Sequence, residues 1–171
     1  MSKDLLTLYK MIVLYMLEKA SSPLTRAQIS DFILDKEYTD YMTLQTVFSD
    51  LTEDGFITAE ETENRTIYEI TPEGAETLEF FGGRLSEDIR DDIKVYLKQN
   101  EVQIIDELSV KTNYDRNSKG EYIAELTLLE RESQLMNMSV TVPSKELAER
   151  VCNNWKTQNE EIYQYLIGKL F

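Results

Sequence analysis

Residues 41–57, YMTLQTVFSDLTEDGFI, narrow the folds open to this chain more than any other stretch. Leu44, Val47, Phe48 and Leu51 recur at helical spacing, which predicts a helix with one apolar face. Gly55 stands where a residue able to take positive φ ends a helix. Phe56 and Ile57 open a strand immediately behind it.

The segments on either side extend the pattern. Residues 4–19 read as a helix with Leu5, Leu8, Tyr9, Ile12 and Met16 on one face, widened by Leu6, Val13 and Leu17. A helix apolar over so much of its circumference needs cover on more than one side, from its own domain or from a second subunit. Ser21-Ser22-Pro23 breaks the chain, and a second helix starts at Thr25, with Gln28 three residues on as a capping box. Leu24 and Ile29 occupy the two positions of a hydrophobic staple. Thr39 or Asp40 caps the third helix, which runs to Asp54. Phe56–Ala59 and Thr66–Thr71 read as paired strands with Glu60–Arg65 as their tip. Thr71-Pro72 then starts a helix to Phe81, with Thr71 as cap and Pro72 at its first position.

Gly82-Gly83 is the expected boundary, dividing the chain into residues 1–82 and 83–171. Ser86 caps a connecting helix to about Gln99. Three alternating runs follow: Leu108 to Tyr114, Tyr122 to Leu128 and Met136 to Val142, the first two joined by a turn at Asn117–Gly120. They predict an antiparallel meander with one covered face. Ser144 caps a long final helix whose Leu147, Val151, Trp155, Ile162 and Leu166 can cover that meander or reach a partner subunit. The expected fold class is therefore α+β.

Charge restricts the partners. The chain has 18 basic and 32 acidic side chains, a formal charge of −14. Residues 1–80 hold 6 Lys/Arg against 16 Asp/Glu, so the first half is the more acidic one. Such a chain does not attract polyanions at long range. Histidine is absent and Cys152 is the sole cysteine, which excludes His-based triads, His-ligated zinc and a disulfide framework. No metal site and no cofactor are expected. No segment reads as a signal peptide or membrane span, so a reducing cytoplasm is the expected compartment.

Residues 1–80 resemble the winged helix-turn-helix superfamily. The resemblance rests on the Thr25–Gln28 helix start, the Leu44/Val47/Leu51 helix, Gly55-Phe56-Ile57, and the Tyr68–Gly74 exit, which is similar to a pattern in PadR-like and MarR-like regulators. The whole chain resembles a bacterial family of unknown function whose members are often labelled transcriptional regulators. The resemblance implies an N-terminal winged helix, then a helix, the meander and the long C-terminal helix. It also implies a homodimeric transcriptional regulator that binds duplex DNA.

In DNA-binding members of that fold, the third helix enters the major groove. Its expected outward residues are Thr43, Gln45, Thr46, Ser49, Asp50 and Glu53, with Gln45 suited to adenine and the hydroxyls to phosphates or base edges. Asn64 and Arg65 at the hairpin tip are candidates for a minor groove. Arg26, beside the amides that start the second helix, is the expected phosphate contact. Against this stand Asp40, Asp50, Glu53 and Asp54, with no Lys or Arg on the helix. The alternative is a winged helix that meets a basic protein partner through this acidic surface. Enzyme chemistry is not expected: no phosphate loop, nucleophile elbow or metal-ligand spacing is present.

Overall fold

The computed structural model describes residues 2–61, 65–101, 104, 109–130 and 133–171. The fold is α+β. Among the described residues it has six α-helices and two three-stranded antiparallel sheets. The chain divides into two compact units, Met1–Glu61 with Arg65–Ile104, and Thr62–Asn64 with Ile105–Phe171.

The first unit runs α1 (Lys3–Lys19), β1 (Leu24–Thr25), α2 (Arg26–Asp35), α3 (Tyr41–Glu53), β2 (Ile57–Glu61), β3 (Thr66–Ile70), α4 (Pro72–Phe81) and α5 (Glu87–Gln99). Its sheet has the order β1-β3-β2, with Ile57 opposite Ile70 and Glu61 opposite Thr66 in the hairpin. Seven consecutive residues of α1, Met11–Leu17, are buried. The cover comes from within the unit, since α3, α4, α5 and β3 all pack on α1. Burying a helix all round requires apolar residues at every angular position, and Met11–Leu17 supplies them.

Side-chain caps place the helix starts. Thr25 Oγ1 accepts from the Gln28 amide at 3.1 Å while Gln28 Oε1 accepts from the Thr25 amide at 2.9 Å, the expected reciprocal box. Asp40, Thr71 and Ser86 cap α3, α4 and α5. α3 ends as its sequence predicts. Gly55 has φ +74°, its amide bonds to Thr52 O, and the Phe56 amide bonds to Leu51 O at 2.9 Å. This pair of bonds satisfies carbonyls that the helix leaves open. α2 ends the same way without a glycine: Glu37 holds φ +54°, and the Tyr38 amide reaches Ile33 O at 3.1 Å.

The expected boundary at Gly82-Gly83 falls inside this unit. Gly82–Arg84 forms a short 3₁₀ turn between α4 and α5. Ile93 and Leu97 of α5 then enter the same core as α1, with Ile89 and Tyr96 packed against it. The division between units lies between Ile104 and Ile105 instead. The amphipathic face of α5 needs an apolar surface, and α1 has one side left to cover.

The second unit holds β4 (Val110–Arg116), β5 (Tyr122–Glu130), β6 (Ser133–Val142) and α6 (Lys145–Leu170), with strand order β4-β5-β6. The β4–β5 turn is closed by Asn117 Oδ1, which accepts from the amides of Lys119 and Glu121. Tyr114, Ala124, Leu126 and Leu128 from the sheet meet Ala148, Cys152 and Trp155 from α6. The buried Trp155 donates its indole N–H to Thr127 O at 3.3 Å. Leu108, expected to begin the first strand, lies outside the described residues. No helix among the described residues is long and apolar enough to cross a membrane.

Candidate functional site

The site follows from how α3 is wedged into its unit. Leu44, Val47, Phe48 and Leu51 face the core and are at most 2 % exposed. The opposite side is set by the 3.6-residue period. It shows Tyr41, Met42, Thr46, Ser49 and Glu53 to solvent, with Gln45 half-buried. Tyr41 and Met42 are 57 % and 73 % exposed, unusually open for their size. Gln45 Nε2 is shielded from water yet has no hydrogen-bond partner. The Thr46 hydroxyl donates to Met42 O at 3.3 Å, and the Ser49 hydroxyl donates to Glu53 Oε1 at 3.2 Å.

Thr43 departs from its expected outward position. It is buried, its amide donates to Asp40 Oδ1 at 2.8 Å, and its hydroxyl donates to Asp40 Oδ2 at 3.1 Å. The third residue after an N-cap is where the cap's side chain reaches, so Asp40 takes both of its donors. Those bonds, the amide first and the hydroxyl second, hold the Asp40 carboxyl below the usual carboxylate range.

The acidic groups of α3 turn out to be partly committed elsewhere. Asp50 lies on the flank that meets α1, with its carboxylate 2.9 Å from Lys10 Nζ, and Asp54 is 3.9 Å from the same ammonium. Lys10 thus sits against the acid of the helix's second half. The first two turns of α3 therefore present neutral groups outward, namely Tyr41, Met42, Gln45 and Thr46, with Ser49 next. Sequence spacing gives no signal for the Lys10 pair, because the two residues are 40 positions apart.

Arg26 is likewise turned inward. Its Nε and Nη2 donate to the Tyr68 hydroxyl at 2.9 and 2.6 Å. Its guanidinium lies 5.7 Å from the centroids of both Phe48 and Tyr68, whose rings stack at 4.8 Å. The guanidinium is an internal tie joining α2, α3 and β3 rather than a free phosphate contact. The acceptor, Tyr68, carries no functional signal in the sequence. Arg65 is half-buried just before β3, and Asn64 lies outside the described residues. The hairpin strand leading to that tip ends in exposed Glu60 and Glu61.

Of the expected contact residues, Gln45, Thr46 and Ser49 form one surface, while Thr43 and Arg26 are withdrawn from it. Among the described residues no group of three or more carboxylates or thiols is placed to hold a metal ion. Cys152 is buried, with its Sγ 3.7 Å from Asn113 O.

Residues 9–170 match the family described as Domain of unknown function (DUF4364). The chain belongs to the DUF4364 family. Comparison with curated proteins and with solved structures finds no match. Nearly the whole DUF4364 chain, both compact units included, falls within the matched span.

Proposed function

We propose that the first unit is a winged helix-turn-helix, and that this DUF4364 protein is a homodimeric transcriptional regulator that reads duplex DNA with α3. The element order of the first unit, with a β2–β3 hairpin directly after α3, supports the winged reading. The observation that carries the DNA reading is the outer face of α3. Its first two turns offer Gln45 and Thr46, with Asp40 engaged as a cap and Asp50 paired with Lys10, while Ser49 beyond them is bonded to the Glu53 carboxylate. A glutamine can bond adenine bidentately in the major groove, and residues near the start of a recognition helix are the ones that meet base edges. Gln45 Nε2 is shielded in the unbound protein and has no partner there, so turning the side chain outward to a base breaks no internal hydrogen bond of that nitrogen.

The scarcity of cations near α3 has a measurable consequence. Each phosphate contact contributes about −0.9 to the slope of log K against log salt, so one or two contacts give a slope of only about −1 to −2. The test is fluorescence polarisation against the protein's own promoter region, at low and moderate salt, with a random duplex as control. Sequence-dependent binding with a shallow salt slope supports the reading. Gln45→Ala then weakens specific binding by about 1–3 kcal/mol and relaxes preference at one base pair. Absence of binding at low salt overturns it. The exposed Tyr41 and Met42 favour a second reading, contact with a basic protein, because aromatic and Met side chains are enriched at such interfaces. Retention of a defined basic protein, with indifference to DNA, would establish that alternative.

A further inference from the structure

We propose that β6 is the dimer seam: it pairs antiparallel, about a two-fold axis, with β6 of a second copy and joins the two sheets into one of six strands. The inference rests on the homodimer part of the proposed function and is independent of DNA binding. It starts from the composition of the second sheet's strands. Among the described strands, β6 pairs only with β5. β4 carries Lys111, Asp115 and Arg116. β6, SQLMNMSVTV, is the longest strand and has no charged residue, no proline and no glycine. In a chain that is 29 % charged, ten neutral residues on an open edge are conspicuous.

Side-chain cover points the same way. The inward residues of β5, Ala124, Leu126 and Leu128, are buried, whereas their neighbours on β6, Met136, Met138, Val140 and Val142, are only half-buried. α6 packs mainly over β4 and β5 and leaves the β6 side thinly covered. On the opposite face Asn137 donates to Thr127 Oγ1 at 2.9 Å and the Ser139 hydroxyl donates to Glu125 Oε1 at 2.6 Å, so that face is a polar ladder whose carboxylate stands on β5 rather than β6. The edge is therefore apolar on one side, and its pairing with β5 is regular from Met136 to Val142, beyond a bulge at Leu135.

A second copy is the occupant that this chemistry fits. Two chains of charge −14 repel each other, so they meet best where each is neutral. Antiparallel pairing of a strand with itself is isologous: the same backbone donors and acceptors face each other across the axis. An uncharged strand does so without setting like charges opposite one another, which would be destabilising. Two ten-residue edges can exchange about ten backbone hydrogen bonds. A two-fold axis near Met138 sets Met136 against Val140 of the second copy and closes the apolar strip that α6 leaves open.

The experiment combines sedimentation velocity of the full chain with amide hydrogen exchange read by NMR. In a lone edge strand every second amide points to solvent and exchanges fast; in the proposed seam the amides of β6 are protected throughout. The double variant Asn137→Lys, Thr141→Lys places two exposed ammonium groups along the seam without touching the core. It should raise the dimer dissociation constant by at least about tenfold, because with Met136 opposite Val140 the new ammonium groups occupy diagonal positions across the seam, within reach of one another. Asp115→Lys on β4 should leave the dimer unchanged, and circular dichroism checks that both variants are folded. A folded dimer whose outward β6 amides exchange fast, and which the double variant leaves intact, overturns this seam while the homodimer stands. A monomer at high micromolar concentration overturns both. A stoichiometric foreign strand held on β6 overturns the second copy as occupant.

Discussion

Replacing Gly74 by alanine sets two effects of opposite sign against each other, and the structure decides the outcome. Gly74 is the third residue of α4, where helix propensity alone favours alanine by about 1 kcal/mol. A Cβ added there would lie 2.1 Å from the carbonyl oxygen of Phe56, and 3.0 Å from Ile70 Cγ1. Carbon–oxygen contacts are normally about 3.3 Å or longer, so the two backbones must separate by roughly 1 Å. The obstacle is main chain and cannot rotate aside. The same Phe56 oxygen accepts from the Thr71 amide at 3.0 Å, and that bond closes the β3–α4 junction onto the end of α3. Overpacking of this kind costs about 1–3 kcal/mol, and loss of the Thr71 bond adds about 0.5–1.5 kcal/mol. After subtracting the propensity gain, Gly74→Ala should destabilise the first unit by about 2 kcal/mol. Gly83→Ala is the control in the same unit: nothing lies within 4 Å of its added Cβ, so it should be neutral or stabilise by up to about 1 kcal/mol. Urea unfolding followed by far-UV circular dichroism measures both. A Gly74→Ala protein as stable as its parent would refute the close approach of α4 to Phe56.

Two further outcomes follow from the same unit. Tyr68→Phe removes the acceptor of both Arg26 bonds and leaves a half-buried guanidinium short of partners; urea unfolding should show a loss of about 1–2 kcal/mol, and no change would mean that water already serves Arg26. The Tyr38 hydroxyl donates to Asp92 Oδ2 at 2.8 Å, and burial first, then this bond, pushes the Tyr38 phenol up to about 12. A folded-state value above the unfolded one contributes stability that is full below about pH 10 and is lost as the pH rises from there toward 12. The partner carboxyl is held low, chiefly by the Tyr38 bond and then by Lys36, so its contribution is present above the unfolded carboxylate range and lost as the pH falls through the folded value. Asp92→Asn should bring the Tyr38 titration, followed by NMR, down from about 12 toward its ordinary range and weaken both dependences; an unmoved titration would assign the shift to burial alone.

What the sequence determined by itself is the local grammar. Thr25 with Gln28, Gly55 after α3, Thr71-Pro72 before α4 and Ser144 before α6 act over three or four residues, so their chemistry is complete within a short window. The alternation of β5 and β6 is equally local, because a pleated strand needs only its own period to separate two faces. The width of the apolar surface on α1 announced a helix that must be covered on several sides. Glu37 was invisible, since nothing in its residue type marks a left-handed turn. The tertiary structure alone decided which chemistry stays available. Arg26 went to Tyr68, Asp50 met Lys10 and α5 was claimed by α1, leaving Gln45, Thr46 and Ser49 outward. These pairings span 40 or more residues. The physical reason is that a side chain's partner is fixed by which surfaces the packed core brings together, and a one-dimensional spacing carries no record of that.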